Sequence, residues 1–177
     1  MSTAIVIKLG GSLADAAGPV LAAVAASGIP ALIVPGGGAF ADEVRARNPD
    51  DDTAHWQAIS AMNRYGVFLS TFGYPCSAEA VLPASGLTIL LPEQVMKDAD
   101  PVPHSWDVTS DSIALWIAGQ LHAPLLLIKS RSGTFDDPEY IDPYFSVLKP
   151  AADIPAWTVN GRDLPELTAF LKNIPKI

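Results

Sequence analysis

Two short apolar runs near the start of the chain each end in a glycine cluster, and each is followed by a helical pattern. Residues 4–9 (AIVIKL) run into Gly10-Gly11, and residues 30–34 (PALIV) run into Pro35-Gly36-Gly37-Gly38. β-Branched runs of this length bounded by glycine read as strands. Helical patterns follow at about 12–27, with Ser12 expected as its cap and Gly28 as its stop, and at about 39–47. Strand, glycine turn, helix, repeated twice, requires parallel strands joined by right-handed crossovers. Both glycine turns must then fall at the carboxyl edge of one sheet, the edge where open α/β sheets bind ligands.

The remaining chain continues the pattern. A polar, acidic break at 48–53 precedes a helix expected over about 54–70. Two short apolar runs follow, around 78–82 and 87–91, then a short helix near Glu93. A helix is expected from Asp107 to Leu121, with Asp107 and Thr109 at its start and Ile113, Ala114, Ile117, Ala118 and Leu121 on its buried stripe. Residues 125–128 form a wholly apolar strand of the kind covered on both faces. Asp142 opens a turn or short helix, and a strand at 157–159 and a helix at 164–171 end the chain. The sequence contains neither a repeat nor a linker. The fold class is α/β: one three-layer α/β/α sandwich over residues 1–177 with a mostly parallel central sheet. A chain of 177 residues in one domain buries about 70% of its unfolded surface.

Charge narrows the partners. Eleven Lys and Arg against 19 Asp and Glu give a net charge of −8, which argues against a nucleic-acid or anionic-membrane partner, since both need clustered cations. No segment approaches the ~20 apolar residues of a membrane span, the start lacks a signal-peptide pattern, and the single Cys76 forms no internal disulfide. A cytoplasmic setting is the expectation. Three scattered histidines and one cysteine show no metal-ligand spacing, so no protein-ligated metal is expected.

Three features carry chemistry. Glycine turns let a backbone come close to phosphate, and the helix start beyond adds free N–H groups; neither turn has the spacing of a Walker A loop or of G-x-G-x-x-G. Lys8 interrupts an apolar strand just before its turn. A buried ammonium costs several kcal/mol unless paired, so Lys8 either reaches water at the strand end or faces phosphate oxygens. The run from Trp106 to Ser112 (WDVTSDS) holds more Asp, Ser and Thr than one helix cap needs, with Asp107 and Asp111 four apart. A carboxylate that orients Lys8, or meets Mg²⁺, would account for the excess.

Residues 5–12 (IVIKLGGS), the Pro35–Gly38 loop, residues 108–114 (VTSDSIA) and residues 142–145 together resemble the amino acid kinase superfamily, in order and over essentially the whole chain. The resemblance implies an ATP- and Mg²⁺-dependent kinase with an acceptor-side half at about 1–105 and a compact nucleotide-side half at about 106–177. It implies that Lys8 stabilises the transition state, that Asp111 organises the catalytic cations, and that Gly10, Gly11 and Ser12 hold the donor phosphates. It sets Gly36, Gly37 and Gly38 toward the acceptor. Residues 129–133 (KSRSG) stand where relatives carry another turn, which offers Lys129 with Ser130, or alternatively Arg131, as a further phosphate-facing group. His55-Trp56, the run from Ser105 to Asp111, Asp142–Phe145 and residues 159–162 (VNGR) resemble a narrower branch. That branch acts on [5-(aminomethyl)furan-3-yl]methyl phosphate in methanofuran-type cofactor synthesis and makes a diphosphate. By that resemblance His55, Trp56 and Asp107 line the acceptor side, with Asp107 meeting the aminomethyl cation. A homo-oligomer is also implied, with the 56–69 helix as its contact. Rival expectations are a superfamily kinase for a carboxylate or another phosphate, and a binding protein that keeps the fold without catalysis.

Overall fold

A computed structural model describes residues 4–175. Among the described residues six strands form one parallel sheet in the order β3-β4-β2-β1-β5-β6: β1 (Ile5–Leu9), β2 (Ala31–Pro35), β3 (Cys76–Ser77), β4 (Leu87–Leu90), β5 (Leu125–Lys129) and β6 (Ala156–Asn160). The chain moves outward from β1 through β2 to one side, then returns to place β5 on the other side. β1 is therefore the switch point of the sheet, and a crevice opens at its carboxyl end.

Among the described residues seven α-helices cover the two faces: α1 (Ala17–Ala26), α2 (Gly38–Arg47), α3 (Asp51–Ser70), α4 (Glu93–Ala99), α5 (Ser110–Gln120), α6 (Pro143–Ala152) and α7 (Leu164–Lys172). Strand side chains alternate between the faces. Val6, Leu32, Val34, Leu125 and Leu127 pack with α5, α6 and Ile59 of α3. Ile5, Ile7, Ile33, Leu126 and Ile128 pack with α1, α7 and the far end of α3. The expected sandwich is observed, and its sheet is parallel throughout.

Several local expectations are corrected. Ser12 caps nothing: residues Gly11–Ala16 form a 3-10 turn before α1, kinked at Leu13, and the Ser12 hydroxyl donates to Ser130 Oγ at 2.9 Å. The acidic break belongs to α3. Asp50 caps it by accepting from Thr53 N at 3.0 Å, and Asp51 and Asp52 lie in its first turn, where the helix dipole favours negative charge. The apolar run at 78–82 is loop; the edge strand is Cys76–Ser77, and Cys76 is exposed rather than core. Finally, α5 begins at Ser110 with Thr109 as its cap, which leaves Asp107 in the preceding loop, exposed.

The two glycine turns touch each other. A Cβ on Gly11 would stand 2.1 Å from Gly38 N, and one on Gly36 would stand 2.6 Å from Gly11 N. Gly38 also holds φ +55°, a left-handed conformation that glycine adopts without strain. Backbone packing against backbone thus demands glycine at 11 and 36, and it fixes the two turns relative to each other.

Candidate active site

Alternation along the strands brings the first functional group together. Lys8 follows Val6 on the α5 face of β1, and Lys129 follows Leu125 and Leu127 on the same face of β5, its neighbour. Lys8 is opposite Leu127, so the two ammonium groups lie one pleat apart at the carboxyl edge. Asp111, in the first turn of α5, reaches down between them. Its Oδ1 faces Lys8 Nζ at 2.8 Å, and its Oδ2 accepts from Lys129 Nζ at 2.6 Å. The Lys8 contact is an ion pair whose angle falls outside hydrogen-bond geometry, so this oxygen lacks a hydrogen-bond partner among the described residues. Lys129 Nζ also donates to the Tyr140 carbonyl.

Lys8 and Asp111 are 5% and 3% exposed, so these charges hold one another in a low-dielectric setting. Burial works to raise the Asp111 pKa, yet the two ammonium groups outweigh it and keep the carboxyl below its ordinary value. Lys129 moves down: burial lowers it most and the Lys8 charge adds to that, against the pull of Asp111. Two cations share the Asp111 carboxylate at the sheet edge, and the buried charge of Asp142 also acts on Lys129.

Asp142 holds this arrangement from below. It is buried, and its carboxylate accepts from Thr109 N (3.0 Å), Thr109 Oγ1 (2.7 Å), Ser112 N (3.0 Å), the Ser112 hydroxyl and Phe145 N (3.0 Å). One carboxylate therefore caps α5 and α6 together, which fixes the turn that carries Asp111. Sequence reading placed Asp142 at a helix start and missed this second duty, because its partners lie 30 and 33 residues away. The signal was the surplus of Ser and Thr around Asp111.

A cavity of about 260 Å³ opens beside the glycine turns, between α2, α3 and the loop that leads into α5. Gly37, Gly38 and His55 line it, together with Arg45, Asp51 and Trp106. Arg45 stacks on Trp106 at 4.4 Å. His55 is buried, and burial with the nearby charge of His104 lowers its pKa to about 4, so its ring is neutral near pH 7. Two of the expected acceptor residues are elsewhere. Trp56 packs edge-on against His55 and His104 rather than lining the cavity, and Asp107 is exposed and does not line it; the carboxylates on its wall are Asp42 and Asp51. Arg131 pairs with Asp137 at the surface, so of the two alternatives it is Lys129 that joins Lys8.

No family model matches the sequence. Across 96% of both chains the structure superimposes on uridylate kinase from Archaeoglobus fulgidus with a TM-score of 0.66 at 13% identity. That likeness shows the amino acid kinase fold. A second relative, [5-(aminomethyl)furan-3-yl]methyl phosphate kinase of Methanocaldococcus jannaschii, is 31% identical over 146 aligned residues, covering 74% of this chain and 68% of that protein. The chain belongs to the family of that kinase. Among the described residues no helix is long and apolar enough to cross a membrane.

Proposed function

We propose that the chain transfers the γ-phosphoryl group of MgATP to a small phosphate monoester, [5-(aminomethyl)furan-3-yl]methyl phosphate, and releases the diphosphate. The observation that carries this reading is the pair of lysines on opposite oxygens of Asp111 at the switch point of the sheet. Phosphoryl transfer needs position and charge neutralisation more than covalent chemistry. Lys8 and Lys129 supply the charge, and Asp111 supplies the position.

The residues present fit the donor. A Cβ on Gly10 would come within 3.6 Å of Lys8 Nζ and 3.8 Å of Ser12 Oγ, so the bare α-carbon keeps that space open for phosphate oxygens. Gly10, Gly11, Ser12, Lys129 and Ser130 would hold the donor phosphates. Mg²⁺ would neutralise phosphate charge when bound. Both Asp111 oxygens face lysines, so the metal would be carried by the nucleotide rather than by this carboxylate.

On the other side, Gly36, Gly37 and Gly38 lead into α2, whose start faces the cavity with free N–H groups for the acceptor phosphate. That phosphate is already anionic near neutral pH, so the chain need not supply a strong base. His55 adds a neutral hydrogen-bonding ring. Asp42 and Asp51 take the role first assigned to Asp107 and receive the aminomethyl cation, while Trp106 offers an aromatic wall to the furan. The acceptor side draws on residues 36–58 together with Trp106, while the donor side joins Lys8, Gly10, Gly11 and Ser12 to Lys129 and Ser130, within one domain.

ADP release from MgATP with this acceptor tests the reading, with acceptor omitted and Lys8→Ala as controls. Acceptor-dependent ADP that falls about 10²–10³-fold in Lys8→Ala is the expected outcome. Near-normal turnover in Lys8→Ala would remove Lys8 from the mechanism. Turnover only with a carboxylate or another phosphate would reassign the acceptor.

A further inference from the structure

His104 plays no part in the chemistry above, yet it is the most heavily engaged histidine of the chain. Its Nδ1 lies 2.7 Å from Asp52 Oδ1, in the first turn of α3, and its Nε2 lies 2.8 Å from Asp100 Oδ1, at the end of α4. A neutral imidazole donates from one nitrogen only, whereas both nitrogens here meet carboxylates, which only the protonated ring satisfies. The ring also lies flat on His55, centroids 4.0 Å apart and planes 16° from parallel. Trp56 closes the edge of this stack, 4.8 Å from His55 and 5.2 Å from His104.

Two lines lead from His104 to the cavity. One runs through the stack, because His55 lines the cavity and His104 is the surface against which it rests. The other runs along the chain: Ser105 and Trp106 follow directly and both line the cavity. We infer that His104 is a positioning residue for the acceptor, a clasp that ties residues 100–106 to α3 and sets both the His55 ring and the Trp106 wall. This inference rests on the reading of the cavity as the acceptor site.

A metal centre is the competing use of the same residues, since ligand atoms of His55, Asp100 and His104 lie within 4.8 Å of one another. Sequence spacing missed that cluster. The stacking opposes an ion there, because a metal sits in the plane of each imidazole that binds it, and two nearly parallel rings 4.0 Å apart have no common point of that kind. A clasp uses the rings as they stand.

Protonation works in the same direction. The titratable groups facing His104 are Asp52 and His55 from α3 and Asp100 from the end of α4. Hydrogen bonds to Asp100 and then Asp52 raise the His104 pKa, while burial and then the His104 charge hold His55 down. The clasp is closed below the raised His104 value and opens as pH rises through it.

Two readouts on the full chain test this. The first follows the ring nitrogens of both histidines by long-range ¹H–¹⁵N spectra across pH, in wild type and in His104→Gln. The second measures kcat and KM for acceptor and ATP in wild type, His104→Gln and His104→Arg. His104 is expected to keep both ring protons above the ordinary histidine value of about 6.5, and His55 should titrate higher once His104 is gone. His104→Gln should raise the acceptor KM about tenfold with ATP KM unchanged and kcat changed less than about threefold. His104→Arg should restore most of that, since a planar guanidinium both bridges carboxylates and stacks. Equal rises in the two KM values, failure of Arg to rescue, or a His104 ring that titrates at or below about 6.5 would overturn the clasp. If wild type phosphorylates no phosphate monoester, the functional reading fails by itself, and the His55 titration still decides: an unchanged His55 in His104→Gln overturns the inference, and an upward shift supports it.

Discussion

The buried lysine cluster and the cavity proposed for the acceptor flank the paired glycine turns and are built in opposite ways. In the cluster, each charge is fixed by others that are themselves fixed: Asp142 holds the first turn of α5, that turn holds Asp111, and Asp111 holds Lys8 and Lys129. In the cavity, the charged groups stand at an exposed rim, with Arg45 on Trp106 and with Asp42 and Asp51 open to solvent. On the proposed function, the groups that act at the moment of transfer are the ones held by many partners, whereas the groups that select an acceptor can be exchanged without disturbing the sheet.

That contrast can be broken most sharply at Asp111. Asp111→Asn leaves two buried ammonium groups against one neutral amide, and denaturant titration should show a loss of about 3–5 kcal/mol together with loss of turnover. Lys129→Ala should reduce kcat about a hundredfold by removing one of the two cations, while Arg131→Ala, exposed and engaged with Asp137, the Ser132 carbonyl and the Tyr140 ring, should stay within about threefold. Equal effects would mean that the cation at the end of β5 is not the working one. Asp142→Ala removes the shared cap of α5 and α6 and should lower stability by about 2 kcal/mol in urea, with kcat falling further than either KM changes.

Smaller effects belong to the cavity side. His55 has a folded pKa near 4, below its ordinary 6.5, so the unfolded chain takes up its proton first and stability falls as pH drops from about 6.5 toward 4. His104 is shifted upward, so its contribution is complete below about 6.5 and is lost as pH rises through its folded value. The melting temperature should therefore peak near 6.5, and His104→Gln should flatten the alkaline side of that peak. Asp107→Ala should change the acceptor KM by less than about twofold, and a tenfold rise would restore Asp107 to the acceptor site.

Much of this arrangement was legible in the chain because it is local or periodic. Glycine clusters after apolar runs gave two βα units, and Lys8 stood out by interrupting an apolar strand; Lys129, expected in the turn after residue 128, ends β5 instead and so shares a face with Lys8. Asp111 was found through its crowded neighbourhood. What escaped was non-local. Asp142 reaches partners 30 and 33 residues away, and His104 binds Asp52 across 52 residues; no spacing rule anticipates either. Asp107 was misplaced by the choice of cap: Asp107 and Thr109 both suit a helix start, and the extended backbone at Thr109 decides for the latter. Ser12 was read as a cap when its hydroxyl instead crosses to Ser130, 118 residues further on.

The double capping by Asp142 also bears on how this chain can vary. The segment from Ser130 to Ile141 leaves the sheet at Lys129 and returns at Asp142, and both of its ends are fastened to the same turn of α5. It is a closed loop with one shared anchorage. Insertions or a backbone cut among residues 132–138, away from the Tyr140 carbonyl that Lys129 grips, would leave both ends tethered where they are. Length can change in this stretch while the spacing of the two lysines is preserved.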